Sequence, residues 1–249
     1  MGRFEFYGPG LSGIDLEELT GRLIVLEGTD GVGRSTQISL LRPWLEHSGH
    51  AVIGTGMARS ALAGKGIKQA KEGHTLGPIT LSLFYATDFA DRLENEMVPA
   101  LRAGFIVLTD RYIYSLIARA IVRGASSEWI KQVYSFALKP DAIFYLRVPL
   151  EELIPRVLHT TGFDYWESGM DLRLGEDLYD SFVAYQTGLL KEFDRMAEEY
   201  GFQIIDASGS IEETFSRLRD AITPLVQTAE PLETAMAVGG GTDGSEGQT

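Results

Sequence analysis

Cysteine is absent from the 249 residues, and with it go disulfides, thiolate metal sites and cysteine nucleophiles. Histidine is scarce and scattered (His47, His50, His74, His159), which argues against a histidine-built metal centre. No run approaches the ~20 apolar residues that a membrane helix needs. Positive charge is in deficit. Lys and Arg total 22 against 35 Asp and Glu, a net charge of −13. That balance argues against a protein that coats nucleic acid, but it still allows a local positive pocket for an anionic ligand. Residues 1–6 lack both the basic-then-apolar pattern of a signal peptide and the hydroxyl of a myristoylation site. The expectation is a soluble cytoplasmic protein that binds a small molecule, with no nucleic acid and no membrane as partner.

What is present is ordinary globular composition: 44% hydrophobic, 10% aromatic and 23% charged residues, in a length that suits one large α/β domain. Residues 1–21, rich in Gly and acids, read as a loosely held lead-in. Residues 228–249 carry four acids, no base and a Gly triplet, and read as a disordered tail holding −4 of the −13. The domain then spans 22–227. Within it the runs 22–27, 51–55, 105–110, 142–147 and 202–206 have the unbroken apolar character of strands buried on both faces. Helical spacing follows each of them. Leu178, Phe182, Gln186, Leu189, Phe193 and Met196, for example, line one face of a predicted helix over 176–200. Such alternation implies a parallel sheet of about five strands covered by helices on both faces, with chemistry just after Glu27, Thr55, Thr109 and Arg147.

After the first run comes Gly28-Thr29-Asp30-Gly31-Val32-Gly33-Arg34-Ser35-Thr36, followed by a predicted helix through Ile38, Leu41, Trp44 and Leu45. The spacing is that of a phosphate loop, with Arg34 where Lys is expected. Glycines let backbone N–H groups turn inward onto phosphate, and the helix amino end adds partial positive charge. The Ser35 hydroxyl would reach a Mg²⁺ ion on the phosphates. Arg34 keeps the charge of Lys in a larger, planar, two-pronged form, which suits nucleotide binding better than fast phosphoryl transfer. The run 105–110 ends in Asp110-Arg111-Tyr112. There the carboxylate is placed to hold Mg²⁺ through water and the guanidinium to clamp a second phosphate; the bland alternative is a capping Asp beside a surface Arg.

On these motifs the chain resembles the thymidylate kinases over roughly residues 22–225. The resemblance is carried by IVLEGTDGVGRSTQ (24–37), LFYATDFADRLENEMVPALRAGFIVLTDRYIYS (83–115), PDAIFYLRVPLEELIPRVL (140–158), FDYWESGMDL (163–172) and IIDASGSIEE (204–213). It implies a three-layer P-loop kinase fold, ATP as donor, and transfer of its γ-phosphoryl group to a deoxynucleoside monophosphate, dTMP first. It further implies that Arg111 binds the acceptor phosphate, that Asp30 orients near the acceptor sugar, that Tyr85 stacks on the base, and that two chains pair. Asp88 falls in the family's Asp-Arg pair, but Phe89 stands in the place of the Arg, and Arg92 one turn on is the candidate replacement. Phe84 and Tyr85 also read as plain core.

Several departures stand out. After the second strand the family's Arg-Glu-Pro-Gly-Gly is replaced by Gly56-Met57-Ala58-Arg59-Ser60, leaving Arg59 for the acceptor phosphate. The family's thymine-reading Gln is absent from Ala118-Arg119-Ala120, so one reader of the base is lost. The lid, at about 159–173, has no Arg or Lys between Arg156 and Arg173, and the phosphate loop has Gly31 where some members carry Arg. Candidate catalytic cations therefore reduce to Arg34, Arg111, Arg156, Arg173 and Mg²⁺ at Ser35 and Asp110. Trp44 and Trp129 read as core, and Trp166 as a lid residue that closes over a nucleotide. Two rivals remain open: a kinase of the same fold for another nucleotide or a nucleoside, and a non-catalytic nucleotide-binding module.

Overall fold

The computed structural model describes residues 3–73, 76–160 and 162–227. The acidic tail expected at 228–249, and Thr161 of the expected lid, lie outside the described residues. Five strands form one parallel sheet: β1 (Arg22–Glu27), β2 (Val52–Gly56), β3 (Ile106–Asp110), β4 (Ala142–Arg147) and β5 (Gln203–Asp206), in the order β2-β3-β1-β4-β5. Helix α1 (Arg34–His47) follows β1. Helices α2 (Gly64–Gly73), α3 (Pro78–Arg92) and α4 (Val98–Arg102) lie between β2 and β3, the last two joined by a wider turn over Leu93–Met97. Helices α5 (Ile113–Val122) and α6 (Ser127–Val133) precede β4. They are followed by α7 (Leu150–Thr160), α8 (Leu178–Tyr200) and, after β5, α9 (Ile211–Gln227).

Alternation along the strands builds the layers. Leu23 and Val25 of β1 face one apolar cluster with α5 and α8, while Ile24 and Leu26 face another with α1, α7 and α9. Burial on both faces is why the strands read as unbroken apolar runs. Helix α8 starts at a side-chain cap, with Asp177 accepting from the Asp180 amide at 2.8 Å, and ends where Gly201 turns left-handed. Its expected stripe is buried from Phe182 through Met196, whereas Leu178 at the helix start is exposed. Trp44 and Trp129, expected in the core, are half-buried at its margins.

The lead-in is firmly held, contrary to expectation. Phe4 is only 3% exposed, Phe6 bridges to Leu138, and the Lys139 amide donates to the Glu5 carbonyl at 2.7 Å. Glycines and acids dominate its composition, but a few apolar residues between them suffice to strap it to the core. The Tyr7 and Tyr114 hydroxyls hydrogen-bond each other. Tyr7→Phe is expected to cost ~1–2 kcal/mol in urea denaturation, because it strands a buried hydroxyl; an unchanged midpoint would mean that the strap does not dock.

The sheet order positions the site. Because β3 inserts between β1 and β2, Asp110 lies level with Leu26 on one side and with Gly56 on the other. The loops after all three strands therefore open at one edge, where a doubly wound sheet binds its ligands.

Candidate active site

The turn after β1 depends on glycine at particular points. Gly28 has φ 143°, and a Cβ there would meet the Leu146 carbonyl at 2.6 Å. Gly31 has φ 82° and abuts Val157 of α7. Gly33, also left-handed, caps α1, so the helix amino end opens onto the loop. Thr29 Oγ1, in the same turn, is buried without a hydrogen-bond partner among the described residues.

Arg34 is folded back into the loop. Its Nη1 donates to the Gly28 and Thr29 carbonyls, and its Nε donates to Asp110 Oδ1 at 2.9 Å. The other Asp110 oxygen accepts from Ser35 Oγ at 2.7 Å. Burial pushes the Asp110 pKa up, but Arg34 and then Arg111 overrule it and hold it below the usual carboxylate range. Ser35 and Asp110, expected at Mg²⁺, are thus spent on each other and on Arg34. Among the described residues no group of three His, Cys, Asp or Glu could hold a metal ion. A divalent ion fits this pair only if Arg34 is displaced.

Arg111 sits at φ 69°, a left-handed conformation unusual for a residue with a side chain. Thr109 Oγ1 holds the turn by donating to the Arg111 carbonyl at 2.6 Å. Buried Glu27 anchors the segment beyond, accepting from the Tyr112 amide at 2.8 Å and from the Ser115 amide at 3.2 Å. The Arg111 guanidinium is thereby aimed back at Asp30, to which its Nη2 donates.

Asp30 has a second partner that sequence reading passed over. Arg119 of α5 donates to both of its oxygens, at 2.8 and 2.6 Å. Burial raises the Asp30 pKa, but Arg119, then Arg111 and Arg34, outweigh it and hold the group far below its usual value of 3.8. A depressed carboxylate pKa stabilises the fold above the unfolded value and loses that contribution as pH falls through the folded one. Asp30→Asn is therefore expected to be less stable than wild type at pH 7, with the gap narrowing below about pH 4. Melting both proteins across pH 3–7 checks this, and a constant gap would contradict it.

The remaining candidates divide. Arg59 is exposed, has no ion pair among the described residues, and lies over Gly56 beside the Asp110 carbonyl. Tyr85 lines a cavity with Arg119, Ala120, Tyr134 and Trp166. The interior of this cavity is about 30 Å³, room for roughly two waters. An outer cleft of about 430 Å³ shares Ser82, Ala120 and Arg123 with it. Arg92 is a correction. Expected at the acceptor phosphate, it is 1% exposed and paired at 3.0 Å with Asp88, itself 0% exposed, so it faces the interior. Asp88 also accepts from the Ala58 and Ser60 amides at 3.0 and 2.9 Å, which shapes the loop bearing Arg59.

Arg156 donates to the Ala207 and Ser208 carbonyls and walls a cleft of about 480 Å³ with Gly31, Gly33, Thr36 and Ser210. Arg173 is exposed just past a short helical turn at Met170–Leu172 and lines none of these cavities. The acidic segment expected as a lid is held from the elements beneath it. Arg123, just past α5, pairs with Asp171 at 3.0 Å, and the Trp166 indole N–H donates to the Lys71 carbonyl of α2 at 3.0 Å. The four-residue spacing of Arg119 and Arg123 at the end of α5 was the available signal for the missed arginines.

A family model for thymidylate kinase matches residues 26–218. Among curated proteins, the chain is 38% identical over 198 residues to a "Probable thymidylate kinase 2" of Saccharolobus solfataricus, covering 78% of this chain and 92% of that one. It is 38% identical over 213 residues to a "Probable thymidylate kinase" of Thermococcus kodakarensis, covering 82% and 98%. It is 28% identical over 215 residues to a "Thymidylate kinase" of Caldicellulosiruptor saccharolyticus, covering 84% and 99%.

Proposed function

The chain belongs to the thymidylate kinase family, and on that premise we propose that it transfers the γ-phosphoryl group of ATP to dTMP, giving dTDP. The observation that carries this reading is the grip of Arg111 on Asp30: a strained strand-end guanidinium reaches across to the phosphate loop, where donor and acceptor phosphates would meet.

In this reading the loop from Gly28 to Thr36 and the amino end of α1 hold the donor phosphates. The cleft bounded by Arg156 and Ser210 takes the rest of the donor. Arg111, with Arg59, takes the acceptor phosphate, and the base enters the cavity beside Tyr85, displacing Trp166 or the outer wall to fit. Asp30 orients Arg111 and Arg119 rather than attacking, so direct transfer needs no protein nucleophile. Guanidinium groups around the transferring oxygens stabilise charge that spreads in the transition state. Mg²⁺, typical of such transfers, would neutralise phosphate charge, but its candidate ligands Ser35 and Asp110 are bonded to each other and to Arg34. The lid's Arg156 and Arg173 are weaker candidates, the first because its guanidinium is bonded to carbonyls and the second because it lines no cavity. The exposed Ile79, Leu83 and Phe84 of α3 offer a surface for pairing of two chains, which sedimentation would test. Among the described residues no helix is long and apolar enough to cross a membrane.

One observation favours a different acceptor: Arg119 and Arg123 line the base cavity, where an amide was expected. Assaying ATP consumption against a panel of monophosphates and nucleosides decides between the two. Turnover greatest with dTMP supports the proposal, whereas turnover only with another acceptor, or tight ATP binding with none, replaces it.

A further inference from the structure

We infer that Arg34 does for bound phosphates what a divalent ion would do at Ser35 and Asp110, so that this chain binds nucleotide phosphates with little need of Mg²⁺. The inference rests on the reading of this loop as the donor site and concerns how the donor is held. Both oxygens of Asp110 are already engaged, one by Arg34 and one by Ser35. The Arg34 side chain is 6% exposed and Asp110 10%, so this is an internal ion pair rather than a surface contact. An incoming divalent cation would have to break that pair and expel a guanidinium that cannot neutralise itself by losing a proton.

The guanidinium is also built into the loop. Nη1 is bonded to two carbonyls of the turn, and a Cβ on Gly28 would come within 3.6 Å of it. Anchored through Nε and Nη1, Arg34 still has Nη2, which donates to no protein atom among the described residues and has two N–H groups for phosphate oxygens. A planar fork fixed at one end loses little freedom when its other end binds an anion. Arg119 and Arg111 are held by Asp30, on the acceptor side of the loop, so Arg34 is the guanidinium left for the donor phosphates. A Lys in place of Arg34 has no second prong, and would leave Asp110 freer for an ion.

The test is calorimetric titration of the full chain with ADP and with ATP, in Mg²⁺ and in EDTA. The wild-type Kd is expected to differ by less than about threefold between the two buffers, and the Arg34→Lys Kd to weaken more than about tenfold in EDTA. A wild-type Kd that weakens tenfold or more in EDTA overturns the inference, and that measurement needs no variant. So does an Arg34→Lys protein as indifferent to the ion as wild type. Binding of neither nucleotide in either buffer would remove the donor-site reading and this inference with it. Strong binding that depends on Mg²⁺ removes only the inference.

Discussion

Arg111→Ala is expected to lower kcat/KM for the acceptor by about 10³-fold, with acceptor KM raised, kcat reduced and ADP affinity unchanged. The size follows from removing a charge that meets the acceptor phosphate and the transferring oxygens together. The donor site should survive because Arg119 keeps its own two bonds to Asp30, so the phosphate loop does not lose its acid anchor. Alanine at φ 69° bears a similar left-handed cost, so the turn is not relaxed by the substitution. Steady-state kinetics with calorimetry of ADP checks this. Loss of ADP binding would show that Arg111 serves the donor side.

Arg92→Ala is expected to cost ~3–5 kcal/mol of stability, a large part of the roughly 5–15 kcal/mol that holds a domain folded. The substitution leaves the Asp88 carboxylate at the bottom of the structure without its counter-charge, since neither member of the pair reaches solvent. Arg92 also reaches Thr55 at 3.4 Å, so β2 loses a contact too. The double variant Asp88→Asn/Arg92→Met should recover part of the loss, because a neutral pair has no stranded charge. Urea denaturation of the three proteins checks it. A fully stable Arg92→Ala protein with raised acceptor KM would return Arg92 to the ligand site.

Arg92 illustrates what a sequence conveys and what it withholds. Spacing places Asp88 and Arg92 on one face of a helix, and they are indeed paired, but spacing does not tell whether that face is closed by β2. The β-strands were legible because burial on both sides leaves an unbroken apolar run. The phosphate loop was legible because its glycines and its following helix are contiguous. The grip on Asp30 was not, since Arg119 lies 89 positions away and meets it only through the insertion of β3 beside β1. The segment expected as a lid misled for the same reason: its Asp171 is paired with Arg123 and its Trp166 is docked by Lys71, both remote in the chain. The strap through Phe4, Phe6 and Tyr7 was hidden by averaging composition over a segment in which a few residues make the attachment.

The docked Trp166 has a kinetic consequence. With the inner cavity near 30 Å³, a base cannot enter as fast as it diffuses; the wall must first part. Acceptor association should then level off at high acceptor concentration, at the rate with which the lid leaves α2. The cleft beside Arg156, proposed for the donor, already has about 480 Å³ of space, so donor association should stay linear. The two substrates would differ in how they arrive before they differ in how they react.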